Sequence, residues 1–256
     1  MATRRVVVTR PAADAARWVA ALQAQAVDAL ALPLIELGAV ADRQPLRAAR
    51  ARVDDFDALM FVSAAAVTHF FAEPGSAPGP RTRCWSTGPG TSAALGAAGV
   101  PATAIDAPAQ AAEQFDSEHL WPLVRAQAAP GKRILLVRGG DADGRPSGRP
   151  WLAQQIEDAG ATLSVVVAYR RTAPAWDAAQ CAQACALADS GALWLFTSSE
   201  AVRHLAALLP GQSWRHGVAL ATHPRIAQAA QDIGFGQVHT VRPGLAALIA
   251  SIESIA

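Results

Sequence analysis

The chain has 256 residues, enough for one large or two ordinary domains with a substantial buried core. Its 22 Lys and Arg against 21 Asp and Glu leave a formal net charge of +1, which excludes a general electrostatic role on nucleic acid or a membrane surface. Cys84, Cys181 and Cys185 lack paired C-x-x-C spacing, no signal-peptide core opens the sequence and no apolar run could span a bilayer, so a soluble, cytoplasmic protein with reduced thiols is expected.

The β-branched run Val6-Val7-Val8 leads into Thr9-Arg10-Pro11, after which Trp18, Val19, Leu22 and Ala26 recur at helical spacing. This reads as strand, turn and helix, and Pro11 suits a first helical turn because its missing N–H has no intrahelical partner there. Val27 to Leu32 is a second predicted strand. Asp57 to Val62 is a buried-type strand ending at Ser63, and Ala64 to Phe71 is helical. Cys84-Trp85-Ser86 leads to a turn at Gly88 and Gly90, then a helix from Ser92 to Ala98 closed by Gly99. Arg133 to Val137 is a strand followed by Arg138-Gly139-Gly140-Asp141, a polar insertion, the helix Trp151 to Ala159, the strand Leu163 to Tyr169 and a polar hinge at Arg170-Arg171-Thr172. Leu193 to Thr197, Val218 to Thr222 and Val238 to Val241 supply the last strands. Strands alternating with helices in this way predict an α/β fold with parallel sheets covered on both faces.

The chain also repeats itself. Phe61, Ser63, Ala66, Val67 and His69 recur as Phe196, Ser198, Ala201, Val202 and His204, an offset of 196 − 61 = 135, and the same offset carries Pro89 to Pro224, Ala94 to Ala229 and Gly99 to Gly234. A period of this length is a whole small domain rather than a solenoid repeat. The strand-turn-arginine elements ending at Arg10 and Arg138 differ by 138 − 10 = 128 instead. Two arrangements fit these spacings: a plain tandem divided near Pro130, or an exchange in which the first two strands pack with the C-terminal half around a nested middle domain.

In an open parallel sheet, ligands collect where strands end and helices begin, because free N–H groups and the positive end of the helix dipole point there. Small or hydroxylated residues fall at those points repeatedly: Thr9, Ser63, Gly88 with Gly90 and Thr91, Gly139, and Thr197 with Ser198 and Ser199. Any one of them alone reads more simply as an ordinary N-cap, whereas the whole set, on equivalent edges of two copies, reads as ligand binding. Each helix N-terminus stabilises an exposed anion by only about 0.3 to 1 kcal/mol, so several would have to converge on one polyanionic ligand. Gly88-Pro89-Gly90-Thr91 lacks a Walker A ending, and the first βα turn has no glycine, which disfavours nucleotide binding. Asp141-Ala142-Asp143-Gly144 opens like a calcium loop, but its glycine falls too early and no glutamate closes it, so a solvated loop is expected. His69 and His204 are read as packing or surface residues, and no metal site is expected. No Ser-His-Asp order or close carboxylate pair stands out. A reaction needing positioning and the departure of a good leaving group suits such a site.

Val8-Thr9-Arg10-Pro11, Leu32-Pro33-Leu34-Ile35, Phe61-Val62-Ser63, Gly88-Pro89-Gly90-Thr91, Leu136-Val137-Arg138-Gly139, Gly148-Arg149-Pro150-Trp151-Leu152, Ala168-Tyr169-Arg170 and Phe196-Thr197-Ser198 resemble, in order and spacing, the uroporphyrinogen-III synthase family. The resemblance spans nearly the whole chain. It implies two similar flavodoxin-like α/β domains with parallel sheets, joined by a two-stranded linker with the second nested in the first: 1–35 plus 170–256, and 36–169. It implies a cofactor-free enzyme of tetrapyrrole biosynthesis that closes linear hydroxymethylbilane to uroporphyrinogen III with loss of water and inversion of ring D. The eight substrate carboxylates would be met largely by backbone amides at helix N-termini, with Arg10, Arg138, Arg149 and Arg225 as candidate side-chain partners. Tyr169, the sole tyrosine, matches the side chain proposed to help the ring-A hydroxyl leave. A protonated phenol is a suitable donor. The sequence departs from the family at Ile226, where threonine is common, at Val62, and in an enlarged loop at Arg145 to Pro150. A monomer making at most transient contact with the preceding pathway enzyme is expected. The rival class is a hinged two-domain protein that binds an anionic small molecule without chemistry.

Overall fold

The protein is described by a computed structural model covering residues 4–73, 79, 81–109, 117–148, 150–242 and 244–255. In chain order, strand β1 (Val6–Val8) is followed by helix α1 (Ala12–Gln23), β2 (Ala29–Ala31) and β3 (Glu36–Gly38). Then come α2 (Gln44–Ala51), β4 (Ala58–Phe61), α3 (Ala64–Phe70), β5 (Arg83–Ser86), α4 (Pro89–Ala97) and β6 (Ile105–Asp106). The middle of the chain continues with α5 (Ser117–Val124), β7 (Arg133–Gly140), α6 (Trp151–Asp158) and β8 (Thr162–Thr172). The last elements are α7 (Ala178–Asp189), β9 (Leu193–Phe196), α8 (Ser199–Leu208), β10 (Val218–Ala221), α9 (Pro224–Asp232), β11 (Gln237–Thr240) and α10 (Leu245–Ile255).

The chain divides into two compact units, one of Met1–Glu36 with Thr172–Ala256 and one of Leu37–Arg171. The first holds a parallel sheet of order β11-β10-β9-β1-β2, in which β1 lies between β2 and β9. The second holds a sheet of order β3-β8-β7-β4-β5-β6. Numbered within its own unit, the first sheet reads 2-1-3-4-5. The second reads the same once β7 and β8 are taken as its first two strands and β3 as an added edge. One unit is therefore a circular permutation of the other, which accounts for the two offsets in the repeat. The strand-turn-arginine element comes first in the chain order of the first unit, as β1, but after β4 to β6 in the second, as β7, while the remaining elements keep a common spacing.

Burial follows from strands covered on both faces. In β4 all four residues are buried, yet they alternate: Leu59 and Phe61 pack with Val67 and Phe70 of α3 and with Leu95 of α4, whereas Ala58 and Met60 pack with Leu120 of α5 and Ile156 of α6. Period-two alternation puts successive residues in two separate cores. In the first unit, Val6, Val8, Leu193, Leu195, Val218 and Leu220 meet α1 and α10. The opposite face carries Trp194, Phe196, Trp214 and Phe235, where Trp194 and Trp214 meet edge-on at 5.3 Å. Gly99 (φ +88°) and Gly234 (φ +95°), partners in the repeat, both occupy the left-handed conformation just past a helix end, where a side chain would be strained.

Several elements differ from their predicted extent. Strand β2 covers only Ala29–Ala31, and α4 begins at Pro89 because the ring supplies the preset φ of a first helical turn. The polar residues 170–172 are the end of a continuous β8, which gains β3 as an edge partner, and the boundary between the two units falls at Arg171 and Thr172. Strands β3 and β6 and helices α2 and α5 are not among the predicted elements, β3 and β6 because two or three residues carry no periodic signal and α5 because Pro122 sits inside it.

Candidate active site

Sheets of order 2-1-3-4-5 bind ligands outside the carboxyl ends of the strands where the order reverses, between the first and third. In the second unit that point lies between β7 and β4, at Arg138-Gly139 and Ser63. Ser63 is the N-cap of α3: its Oγ accepts from the Ala66 N–H at 3.1 Å. The same oxygen lies 3.1 Å from the Tyr169 hydroxyl. A hydroxyl has one hydrogen and two acceptor positions, so Ser63 can hold the helix cap and donate to Tyr169, leaving the phenol hydrogen for a ligand.

Tyr169 reaches this place through a break in the sheet. Arg138 pairs with Val167, but Gly139 pairs with Tyr169, leaving Ala168 as the extra residue of a β-bulge. Bulges re-aim side chains, and here the phenol ring lies over Gly139. A Cβ on Gly139 would stand 2.6 Å from Tyr169 Cζ and 2.8 Å from its hydroxyl oxygen. His69 of α3 stacks on the ring, with centroids 5.3 Å apart and planes at 25°. Burial, and then the Arg50 charge, lower the His69 pKa below its usual 6.5. Arg50 of α2 is itself buried and donates to the carbonyls of Phe70 (2.6 Å) and His69 (2.5 Å), with Glu73 at 3.0 Å.

Arg138 is buried, its Nη2 donating to the Ser147 carbonyl, and Arg171 donates to Ser147 Oγ at 2.6 Å. Desolvation, joined by the Arg171 charge and opposed by Tyr169, pulls the Arg138 guanidinium below its ordinary range. The enlarged loop folds back on β7 through a bridge between Gly140 and Pro146, with Asp141 accepting from the Asp143 and Arg145 N–H groups. Those bonds make it a self-capped turn. Arg149 lies outside the described residues. At the β5–α4 turn, Gly88 is the N-cap of α4, Thr91 is buried, and Ser86 Oγ donates to the Gly88 carbonyl at 2.9 Å.

In the first unit the reversal lies between β1 and β9. Thr9 is buried and its hydroxyl donates to the Leu195 carbonyl at 2.6 Å, so it braces two strands rather than facing outward. Arg10 is half-buried, 3.4 Å from Asp14 and 4.8 Å above the Trp18 ring. Thr197 is half-buried, and Ser198 caps α8 by accepting from Glu200 N–H at 3.1 Å. Ser199 Oγ donates to the Arg225 carbonyl at 3.4 Å, and the Arg225 N–H donates to His223 Nδ1, the cap of α9. The Arg225 side chain is exposed, whereas Ile226 is buried, so the residue standing at the family's threonine faces the core. In the second unit two of the predicted residues, Ser63 and Gly139, meet at a single phenol.

The family model for uroporphyrinogen-III synthase HemD matches residues 16–250. The chain belongs to the uroporphyrinogen-III synthase family. It is therefore an enzyme of tetrapyrrole synthesis, acting in haem biosynthesis. Among solved structures it is similar to the uroporphyrinogen-III synthetase of Helicobacter pylori 26695, at 16% identity over 99% of this chain and 100% of that one, with a TM-score of 0.59. It is also similar to a mutant uroporphyrinogen III synthase of the extremely thermophilic bacterium Thermus thermophilus, at 16% identity over 98% of both chains, with a TM-score of 0.58. Both likenesses are of fold. No curated protein sequence matches the chain. Among the described residues, no group of three or more His, Cys, Asp and Glu is placed to hold a metal, and no helix is long and apolar enough to cross a membrane.

By sequence, His69 reads as a packing or surface histidine. Its contact with Tyr169 is not legible there, because the repeat pairs it with His204, whose Nδ1 lies 2.6 Å from the Leu34 carbonyl. Ser147 and Arg171 escape sequence reasoning as well, since a loop and a strand end meet only through the fold.

Proposed function

We propose that this enzyme is a hydro-lyase that closes hydroxymethylbilane to uroporphyrinogen III, with Tyr169 assisting departure of the ring-A hydroxyl as water. The observation that carries the assignment is the held phenol: Ser63 Oγ at 3.1 Å, the ring over Gly139, and the whole at the reversal point of the sheet. A hydroxyl departing as water needs a proton or a strong hydrogen bond at its oxygen, and a positioned donor contributes about 10²- to 10⁴-fold. The loss of water leaves an electrophilic carbon on ring A, and closure through ring D after inversion requires the chain to be held in one fold. The first-turn amides of α3 and α4 suit that task, each binding a carboxylate weakly, and α8 and α9 present the same groups within the first unit. Arg138 and Arg10 offer positive charge at the two sheet edges, and Arg225 an exposed guanidinium beside the α9 cap. The reading includes a cytoplasmic monomer that needs no metal or cofactor and meets the preceding pathway enzyme only transiently.

The test is an isomer-resolved assay of product from hydroxymethylbilane. The wild-type chain yields type III; Tyr169→Phe retains the fold and lowers kcat by about 10²-fold, so that the spontaneous type I isomer dominates. Exclusive type I product from the wild-type chain would refute catalysis, and a wild-type turnover rate in Tyr169→Phe would remove the phenol from the mechanism.

A further inference from the structure

We propose that His69 is a positioning residue for the reaction, its neutral imidazole holding the Tyr169 phenol against Gly139 so that the hydroxyl stays on Ser63. This rests on the assignment of Tyr169 to the departing hydroxyl. Three contacts define where the phenol can be. Gly139 supports one part of the ring, close enough that a single added carbon would overlap it, and Ser63 fixes the hydroxyl at 3.1 Å. The imidazole covers the ring at 5.3 Å and 25°, a nearly parallel offset stack. Ser63 and His69 both belong to the α3 segment, so one element sets the phenol's tip and its face.

The imidazole is anchored in turn. Arg50 donates to the backbone carbonyls of His69 and Phe70 and pairs with Glu73, which fixes the end of α3 from which the ring projects. The charged and titratable groups around His69 are few. Helix α2 contributes Arg50, the segment after α3 contributes Glu73, which pairs with Arg50, β8 contributes Tyr169, and β7 contributes Arg138; α4 and β4 carry no ionisable side chain. Of these, Arg50 is the charge that acts against a proton on His69, which would also sit in a half-buried place. Both effects lower its pKa and keep the ring neutral near physiological pH. As the pH falls through that lowered value, the imidazolium is driven from its stacked place towards water and the phenol loses its cover.

Tyr169 is the sole tyrosine, so ring-labelled tyrosine gives one NMR signal that reports its surroundings without any turnover. In the wild-type protein this signal should move with pH at a midpoint below 6.5, and in His69→Phe, which keeps a flat ring, the movement should vanish. His69→Ala should change the signal's position and lower kcat by about tenfold with KM unchanged, while His69→Phe restores kcat near neutral pH and loses the acid-side fall. In a Tyr169→Phe background, His69→Ala should cost nothing further in kcat, because no hydroxyl remains to be positioned. The inference is overturned if the tyrosine signal ignores both the pH and the His69 substitutions, or if His69→Ala keeps wild-type kcat. Failure of the underlying assignment looks different: Tyr169→Phe would then turn over normally while the NMR signal still followed His69.

Discussion

Replacing Gly139 by alanine tests the site through a single carbon. Gly139 does not occupy the left-handed region, so the substitution strains nothing in the backbone and acts by contact alone. The new Cβ would lie 2.6 Å from Tyr169 Cζ, and ordinary contact begins at 3.4 Å, so the ring must withdraw by 3.4 − 2.6 = 0.8 Å. It cannot withdraw freely. The residue is 4% exposed, with His69 stacked on it, and its hydroxyl is bonded at 3.1 Å to an oxygen that also caps a helix. A displacement of about 1 Å in a group that must meet a reacting atom costs on the order of 10²-fold in rate. Overpacking of this kind costs about 1 to 3 kcal/mol in stability, which a unit of this size survives. Gly139→Ala is therefore expected to fold, to lose about 10²-fold in kcat, and to release more type I product, measured by stopped assay and isomer separation alongside a denaturant melt. Added to Tyr169→Phe it should lower kcat no further. A folded Gly139→Ala enzyme with wild-type kcat would refute the claim that the ring's position over β7 matters.

Two further predictions concern the scaffold. Asp57 accepts from Lys132 at 2.8 Å and from the Arg133 N–H at 2.9 Å, which together lower its pKa below 3.8. A depressed carboxylate favours the folded state above its unfolded pKa, and this contribution disappears as the pH falls through the folded value. Stability curves of Asp57→Asn should therefore lie under those of the wild type above pH 3.8 and draw together with them as the pH falls below it, a convergence that parallel curves would contradict. Cys84 is buried between β4 and β6, and burial pushes its thiol up to about 12. A thiol-disulfide reagent near neutral pH should thus label only the half-buried Cys181 and Cys185 in the native protein and reach Cys84 after denaturation, because the thiolate is the reacting form. Rapid native labelling of Cys84 would show that the second unit opens at its sheet.

What the sequence by itself determined rests on local patterns. Apolar runs such as Leu193 to Phe196 and Ala58 to Phe61 have the length of strands covered on both faces, and Ser63 and Ser198 stand at positions that a helix start favours. The repeat established two related units, and the ordered motifs identified the family and pointed to Tyr169. The choice between a tandem and an exchanged pair lay beyond those spacings, because a strand's partner depends on the packing of distant segments: Val6 of β1 pairs with Leu193 of β9, across 193 − 6 = 187 positions, and so the first unit is assembled from the two ends of the chain. The surroundings of Tyr169 were hidden for the same reason. A one-residue bulge at Ala168 turns the phenol onto Gly139, and α3 brings both Ser63 and His69 against it, contacts that no local period encodes. Thr9 shows the converse: its motif position suggested an outward hydroxyl, and the parallel pairing of β1 with β9 turned that hydroxyl to the Leu195 carbonyl, since a buried donor must find an acceptor where the sheet provides one.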